Sequence, residues 1–109
     1  MILGSFYLRQ SATGNLLGEF SHTTMDRVRS ESADLDTAFE IAFIGMYSST
    51  WFDEGAQNLN LEISADNDII FNLRWFNDIT TVFRGHGFVS NGVLIGSYWD
   101  QEMQPHIPS

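Results

Sequence analysis

Residues 83–100 read FRGHGFVSNGVLIGSYWD, and this stretch decides the fold. Asn91-Gly92 is the strongest short signal for a β-hairpin, because a type I′ turn needs a positive φ at both of its central residues. A two-residue loop fixes the register of the two strands and places Tyr98 directly across from Gly85. In this arrangement an aromatic ring covers the bare backbone of a glycine, as expected of a curved sheet.

The end of this stretch belongs to a pattern that occurs three times: two apolar residues, a glycine, a small or acidic residue and an aromatic one. The copies are ILGSF at 2–6, LLGEF at 16–20 and LIGSY at 94–98. A glycine inside an apolar strand marks a bend or a close approach of two backbones, and the aromatic residue two positions on shares its face. The pattern therefore predicts a sheet that curls into a barrel.

Short strand-like runs account for much of the remaining chain. Residues 2–10 and 16–24 form a first hairpin around a glycine-containing turn, while 59–63 and 69–76 alternate side chains as paired strands do. The polar segment 26–34 is compatible with a loop, a short edge strand or one helical turn.

Residues 35–47 support two interpretations. Phe39, Ile41 and Phe43 alternate as in a strand, whereas a helical stripe also fits 35–46. The β-branched and aromatic content favours the strand. Such a strand would be apolar on both faces, so we expect it to be central or covered by a partner subunit.

The runs add up to seven or eight antiparallel strands. We predict an all-β fold, a small antiparallel up-and-down barrel, with a β-sandwich or an α+β fold carrying one helix in 35–46 as alternatives. Residues 1–100 form the single domain. Residues 101–109 contain two prolines and no strand pattern, and we expect a flexible C-terminal tail there.

Composition limits the classes of function. Fourteen acidic residues against five arginines and no lysine give a formal net charge of −9. Nucleic acids and anionic membranes are not expected as partners, because both are bound through Lys and Arg. The absence of cysteine excludes disulfides, zinc–thiolate sites and thiol nucleophiles. Without a signal-peptide pattern or a run of about 20 apolar residues, a soluble, cytoplasmic protein is the expectation.

Residues 4–7 (Gly-Ser-Phe-Tyr) and 14–20 (Gly-Asn-Leu-Leu-Gly-Glu-Phe) resemble the opening hairpin of avidin-type and lipocalin-type barrels, the calycin group. Those families begin with Gly-x-Trp, and this chain has Phe6 in place of the Trp. The resemblance implies an eight-stranded closed barrel whose interior holds a small apolar or amphipathic ligand. It does not carry over a biotin site, because Leu8 and Phe20 stand nearest to two positions that contact the ligand through polar side chains.

Common catalytic and metal-binding signatures are absent from the sequence. Residues 85–90 contain the first two glycines of a dinucleotide fingerprint but not the third, and a hairpin follows where a helix is required. The three histidines lie far apart, without a carboxylate at a metal-ligand spacing. Asp66-x-Asp68 lacks the later glycine and glutamate of a calcium loop. We therefore expect no metal site, no cofactor and no catalytic residue.

The main candidate ligand site is one face of the final hairpin, which carries Arg84, His86, Ser97 and Trp99. If this face points into the barrel, it provides an aromatic wall with three hydrogen-bonding groups. If it points outward, Arg84 and Trp99 form a cation–π pair on the surface. The sequence leaves the orientation open.

Three further residues are candidates for the same ligand. Glu40 interrupts an apolar run, so in a central strand it would be buried; it would pair with Arg74 or Arg84, lie at a barrel rim or transfer protons. Arg74, beside Trp75, is either an outward arginine on a sheet face or an anchor for an anionic ligand group.

Three functions are compatible with these features, in the following order of preference. The first is a non-enzymatic barrel that binds a small, partly apolar or aromatic molecule. The second is an acidic protein-interaction or homodimerisation module that uses the apolar run 38–47. The third is a barrel isomerase or cyclase with Glu40 or His86 as a proton shuttle.

Overall fold

Eight β-strands and no helix make up the described part of the chain. A computed structural model describes residues 2–24, 27–37, 39–52 and 55–100. Each strand pairs antiparallel with the next and β8 pairs with β1, which closes the sheet into an up-and-down barrel. The strands are β1 (Leu3–Gln10), β2 (Leu16–His22), β3 (Arg29–Leu35), β4 (Gly45–Phe52), β5 (Ala56–Ala65), β6 (Ile70–Asn77), β7 (Thr80–Ser90) and β8 (Val93–Asp100). The predicted all-β barrel is confirmed over the sandwich and the α+β alternative.

The final hairpin has the predicted turn and register. Asn91 and Gly92 have φ values of 53° and 77°, as a type I′ turn requires. Tyr98 lies across from Gly85 and also across from Gly4 on the neighbouring β1. A Cβ atom built on Gly4 would lie only 2.4 Å from the Tyr98 ring. The ring therefore occupies space that only glycine leaves free.

The strand predicted over 35–47 is wrong. Leu35 ends β3 and Gly45 begins β4, and the residues between them form a connection. Phe43 has a φ of 68°, a rare conformation for a bulky residue, which breaks the alternation that Phe39 and Ile41 suggest. Both of those side chains are exposed, at 43% and 61%.

The connection between β3 and β4 plugs one end of the barrel, which we call the plugged end. Phe43 is 4% exposed and packs edge-on against Phe71, with ring centroids 6.4 Å apart. Its backbone N–H donates to Gln10 Oε1, and its carbonyl accepts from the Tyr47 hydroxyl at 2.8 Å. Gln10 Nε2 donates to the same hydroxyl at 2.8 Å, so the Gln10 side chain bonds both the Phe43 backbone and the Tyr47 side chain.

Alternation along the strands separates the lumen from the outer wall, with a register irregularity at Trp75 and Phe76 in the pairing of β6 with β7. Inward positions are apolar over most of the barrel, and the side chains buried most completely are Tyr47, Leu8, Leu61, Ile63, Leu94 and Ser49. The end at which β2, β4, β6 and β8 finish lies opposite the plug, and we call it the cavity end. Within the described residues, no helix is long and apolar enough to cross a membrane. The tail predicted for 101–109 lies outside the described residues.

Candidate functional site

A cavity of about 310 Å³ occupies the cavity end of the lumen. Its walls are mainly aromatic, with a buried carboxyl at the centre, polar residues at the mouth and the aliphatic residues Ile2, Leu59 and Val82 completing the lining. The six rings are Phe6, Phe20, Trp51, Trp75, Phe83 and Tyr98. They pack mostly edge to face, with ring centroids 5.7 to 6.5 Å apart. Such a lining is typical of a small-ligand pocket.

Glu31 is the buried polar centre of the cavity. It lies on the inward face of β3 and is only 4% exposed. Its Oε2 atom accepts hydrogen bonds from Ser49 Oγ and from Trp75 Nε1, the latter at 2.8 Å. Burial raises the pKa of the Glu31 carboxyl, and the two hydrogen bonds offset part of that rise. Because both donors are neutral, they orient the carboxyl group without neutralising a charge on it.

Tyr98 brings a second buried polar group into the same cavity. Its side chain is 6% exposed, and its ring packs between Phe6, Phe20 and Phe83. Among the described residues, its hydroxyl has no hydrogen-bond partner. Burial raises the pKa of this hydroxyl, and a negative charge on Glu31 raises it further. A buried hydroxyl without a partner is uncommon, because desolvation is then uncompensated.

Three polar side chains surround the mouth of the cavity, those of His22, Arg29 and Gln57, while Asn58 contributes to the lining but its side chain accepts a hydrogen bond from Thr50 on the outer wall. His22 is held at the end of β2 by Thr24, whose backbone N–H and hydroxyl lie 3.2 and 2.9 Å from His22 Nδ1. The cavity is thus polar at its entrance, aromatic along its walls and polar again at one buried point.

The main predicted site lies on the outer wall. Arg84 and His86 are exposed, whereas the glycines between and beside them face the lumen. Of the two orientations that the sequence left open, the outward one is observed, so that none of these four side chains lines the cavity. Trp99 contacts the edge of His86 with ring centroids 5.4 Å apart, and Ser97 lies across from His86 on β8.

Arg74, Trp75 and Glu40 are widely separated. Arg74 points outward, where it forms a salt bridge with Glu62 at 3.4 Å and covers the Phe76 ring at 4.1 Å. It also lines an outer groove together with Arg84 and Trp99. Trp75 points inward and lines the cavity. Of the alternatives for Glu40, exposure at a barrel rim is the one observed, because the central strand that would bury it does not form and the residue lies exposed in the connection at the plugged end.

Sequence reasoning missed the two central polar residues of the cavity, Glu31 and Tyr98. Tyr98 was assigned only a covering role over glycine. Glu31 lies in the polar run 26–34, where serines and acids gave no apolar period to follow. The available signal was the alternation of Glu31, Ala33 and Leu35 against the serines and Asp34, which places a carboxyl on the apolar face of a strand.

The described residues contain no group of three His, Asp or Glu side chains placed to hold a metal ion. Comparison with known protein families, curated proteins and solved structures finds no match to this chain. The functional argument therefore depends on the geometry of the cavity itself.

Proposed function

We propose that this protein is a non-enzymatic barrel that binds a small, partly aromatic or apolar molecule in its lumen. The observation that carries the proposal is a cavity of about 310 Å³ lined by six rings and two buried polar groups. A barrel of eight strands is narrow enough to be filled by its own side chains. This one is filled at the plugged end and hollow at the other.

The size of the cavity limits the ligand. Pockets for small molecules begin at about 300 Å³, so this one fits a molecule of one or two rings rather than a long lipid. The rings supply apolar contact, and the polar mouth leaves one end of the ligand near water. The calycin resemblance of the first hairpin agrees with a lumenal ligand.

Native mass spectrometry of the purified protein, followed by calorimetric titration with a panel of small aromatic compounds, tests the proposal. We expect one ligand per chain. Leu59→Trp, which fills the cavity from β5, should abolish binding, whereas Asn60→Trp on the same strand, a residue that does not line the cavity, should not. An unaltered affinity in the Leu59→Trp variant, or no binding by any compound, would contradict a lumenal site.

Homodimerisation is the second candidate, and exposed apolar side chains on the outer wall favour it. Phe88, Ile95 and Tyr7 lie in one row across β7, β8 and β1. Phe88 and Ile95 are 48% and 40% exposed, and Leu17 nearby on β2 is 63% exposed. Two copies would each carry a net charge of −9, so a dimer should strengthen with salt. Sedimentation at low and high salt checks this; a monomer under both conditions would contradict it.

An isomerase or cyclase has less support, because neither proposed proton shuttle lines the cavity. Glu40 is exposed at the plugged end, and His86 lies on the outer wall.

A further inference from the structure

The chain provides few positive charges, and among the described residues no arginine forms a salt bridge with Glu31. The sequence has five arginines and no lysine. Arg74 is paired with Glu62, Arg9 lies over the Tyr7 ring on the outer wall, Arg84 is exposed there, and Arg27 is exposed between β2 and β3. Arg29 lines the cavity two residues from Glu31, but the two form no salt bridge within the described part of the chain. A buried carboxylate without a cation is costly, since its charge has lost the solvation of water.

The two buried polar groups each leave a position for a ligand atom. Both hydrogen bonds to Glu31 fall on Oε2, so that Oε1 receives none from the described residues. The Tyr98 hydroxyl likewise has no partner there. Both residues line the same cavity and share a neighbour, because the Trp75 ring packs against Tyr98 while its Nε1 donates to Glu31. One ligand group with several donors would satisfy both oxygens.

The aromatic walls are suited to a positive charge. Cations are attracted to the faces of Trp, Tyr and Phe rings, most strongly where water is excluded, and cages of such rings are used to bind ammonium groups. Six rings surround the cavity that contains Glu31. A carboxyl group with a free oxygen, an orphan hydroxyl and an aromatic enclosure together provide charge, hydrogen bonds and polarisable surface for one ammonium group.

We propose that the lumen binds an organic cation, a primary or methylated ammonium group on a small aromatic or apolar body, with its nitrogen between Glu31 and Tyr98. This inference rests on the lumenal binding proposed above and names the ligand class. An anion would face the Glu31 carboxylate. A neutral alcohol would make the hydrogen bonds but leave the buried charge uncompensated.

Paired ligands that differ only in charge provide the test. Benzylamine, phenethylamine and benzyltrimethylammonium are titrated calorimetrically into the protein, with benzyl alcohol and phenethyl alcohol as neutral partners and benzoate as the anion. We expect the amines to bind about tenfold or more tightly than their alcohols, as charge-assisted hydrogen bonds outweigh neutral ones. Glu31→Gln keeps an oxygen for Ser49 and Trp75 but removes the charge, so it should abolish the preference for amines over alcohols.

Glu62→Gln is the matched control, because it removes the same charge from the outer wall. It should leave the preference for amines intact. A cooperative urea unfolding transition in Glu31→Gln shows that the barrel is still folded, so a loss of the preference for amines there reports the charge and not misfolding.

The pH dependence gives an independent readout. The titratable and charged groups that face Glu31 or line the cavity are Tyr98 on β8, His22 on β2 and Arg29 on β3, with Tyr47 deeper on β4. Because burial raises the pKa of Glu31, a cation must displace its proton at low pH. Amine affinity should therefore rise with pH above the ordinary glutamate pKa of 4.5, with release of a proton. The rise should persist in His22→Gln and vanish in Glu31→Gln.

Each outcome distinguishes the two proposals. Equal binding of amines and alcohols overturns the cation site and leaves lumenal binding intact. Tighter binding of benzoate, or an amine affinity that falls as pH rises towards neutrality, also overturns the cation site. If no compound of any charge binds, both proposals fail.

Discussion

Glu31 occupies a lumenal position that an uncharged residue would fill at lower cost. It is buried, and its carboxyl has two neutral donors instead of a cation. Replacing a buried charge with a neutral side chain is often stabilising when the remaining hydrogen bonds persist. A ligand-binding role explains why a barrel would carry such a residue, because functional sites commonly depart from the most stable choice.

Glu31→Gln should stabilise the unliganded protein at neutral pH. The pKa of Glu31 is raised above its ordinary value of 4.5 in the folded state, so the folded protein holds this proton more tightly than the unfolded chain. Stability from this group is therefore present below about pH 4.5 and is lost as pH rises through the folded-state pKa. Urea denaturation across this pH range should give the original protein and Glu31→Gln equal free energies of unfolding at low pH. At neutral pH the free energy of unfolding should be larger for Glu31→Gln.

Glu62→Gln serves as the control for that experiment, since the Glu62 side chain is half-exposed on the outer wall. A wild-type stability that increases steadily relative to Glu31→Gln as pH rises would show that the carboxyl is stabilised by a cation in the folded state.

At the scale of single elements, the β7–β8 hairpin depends on the close approach of its two strands. Gly87 and Gly96 are paired inside the barrel. A Cβ atom built on Gly96 would lie 2.0 Å from the His86 carbonyl oxygen, which is backbone and cannot rotate away. This position tolerates no side chain without separating the strands.

Gly96→Ala should destabilise the barrel by about 2 kcal/mol or more, because the added methyl group overlaps the neighbouring backbone. The control is Ser97→Ala, the next residue, whose side chain lies on the outer wall and should change stability by less than about 0.5 kcal/mol. Urea unfolding measures both. Similar stabilities for the two variants would contradict the close approach.

The plug is held by long-range contacts rather than by its own sequence. Gln10→Ala removes the acceptor of the Phe43 N–H and one of the two hydrogen-bond partners of the Tyr47 hydroxyl, and should cost about 2 kcal/mol. Hydrogen exchange at the Phe43 amide should accelerate in this variant. Ser11→Ala, which loses only an exposed contact with Thr13, should leave that exchange rate unchanged; acceleration in both would locate the effect in the turn instead.

These elements show which parts of the fold were predictable. The β7–β8 hairpin could be predicted from the sequence, because the requirement for a positive φ at Asn91 and Gly92 is local and determines the register of the two strands. The plug could not be predicted from the sequence, because the conformation of Phe43 depends on a hydrogen bond to Gln10, which lies 33 residues earlier in the chain. Glu31 was not found either, since the alternation of Glu31, Ala33 and Leu35 contains only two apolar residues and lies within a polar run.

Charge is the dominant property of the whole molecule. A net charge of −9 on 109 residues repels itself in the compact state, and few arginines are available to balance it. Exposed acids at the plugged end, such as Asp66 and Asp68 in the turn between β5 and β6, add to this repulsion.

Thermal stability should therefore increase with sodium chloride from low concentration to about 0.5 M, because salt screens the repulsion between surface charges. Asp66→Asn with Asp68→Asn should raise the melting temperature at low salt and reduce the salt effect. Scanning calorimetry measures both. A melting temperature that is independent of salt in the original protein would show that the charges are too far apart to matter.

The pairing of β1 with β8, in which Leu3 lies across from Trp99, should form more slowly than the other strand pairings of the barrel. The other strand pairings join neighbours in sequence and need only short chain segments to meet. The β1–β8 pairing instead joins strands at opposite ends of the described chain. The conformational entropy of closing that long loop is lost before the hydrogen bonds of the pairing are gained. We expect the hairpins to form one after another and the β1–β8 pairing to form last, so that closure of the barrel limits the rate of folding.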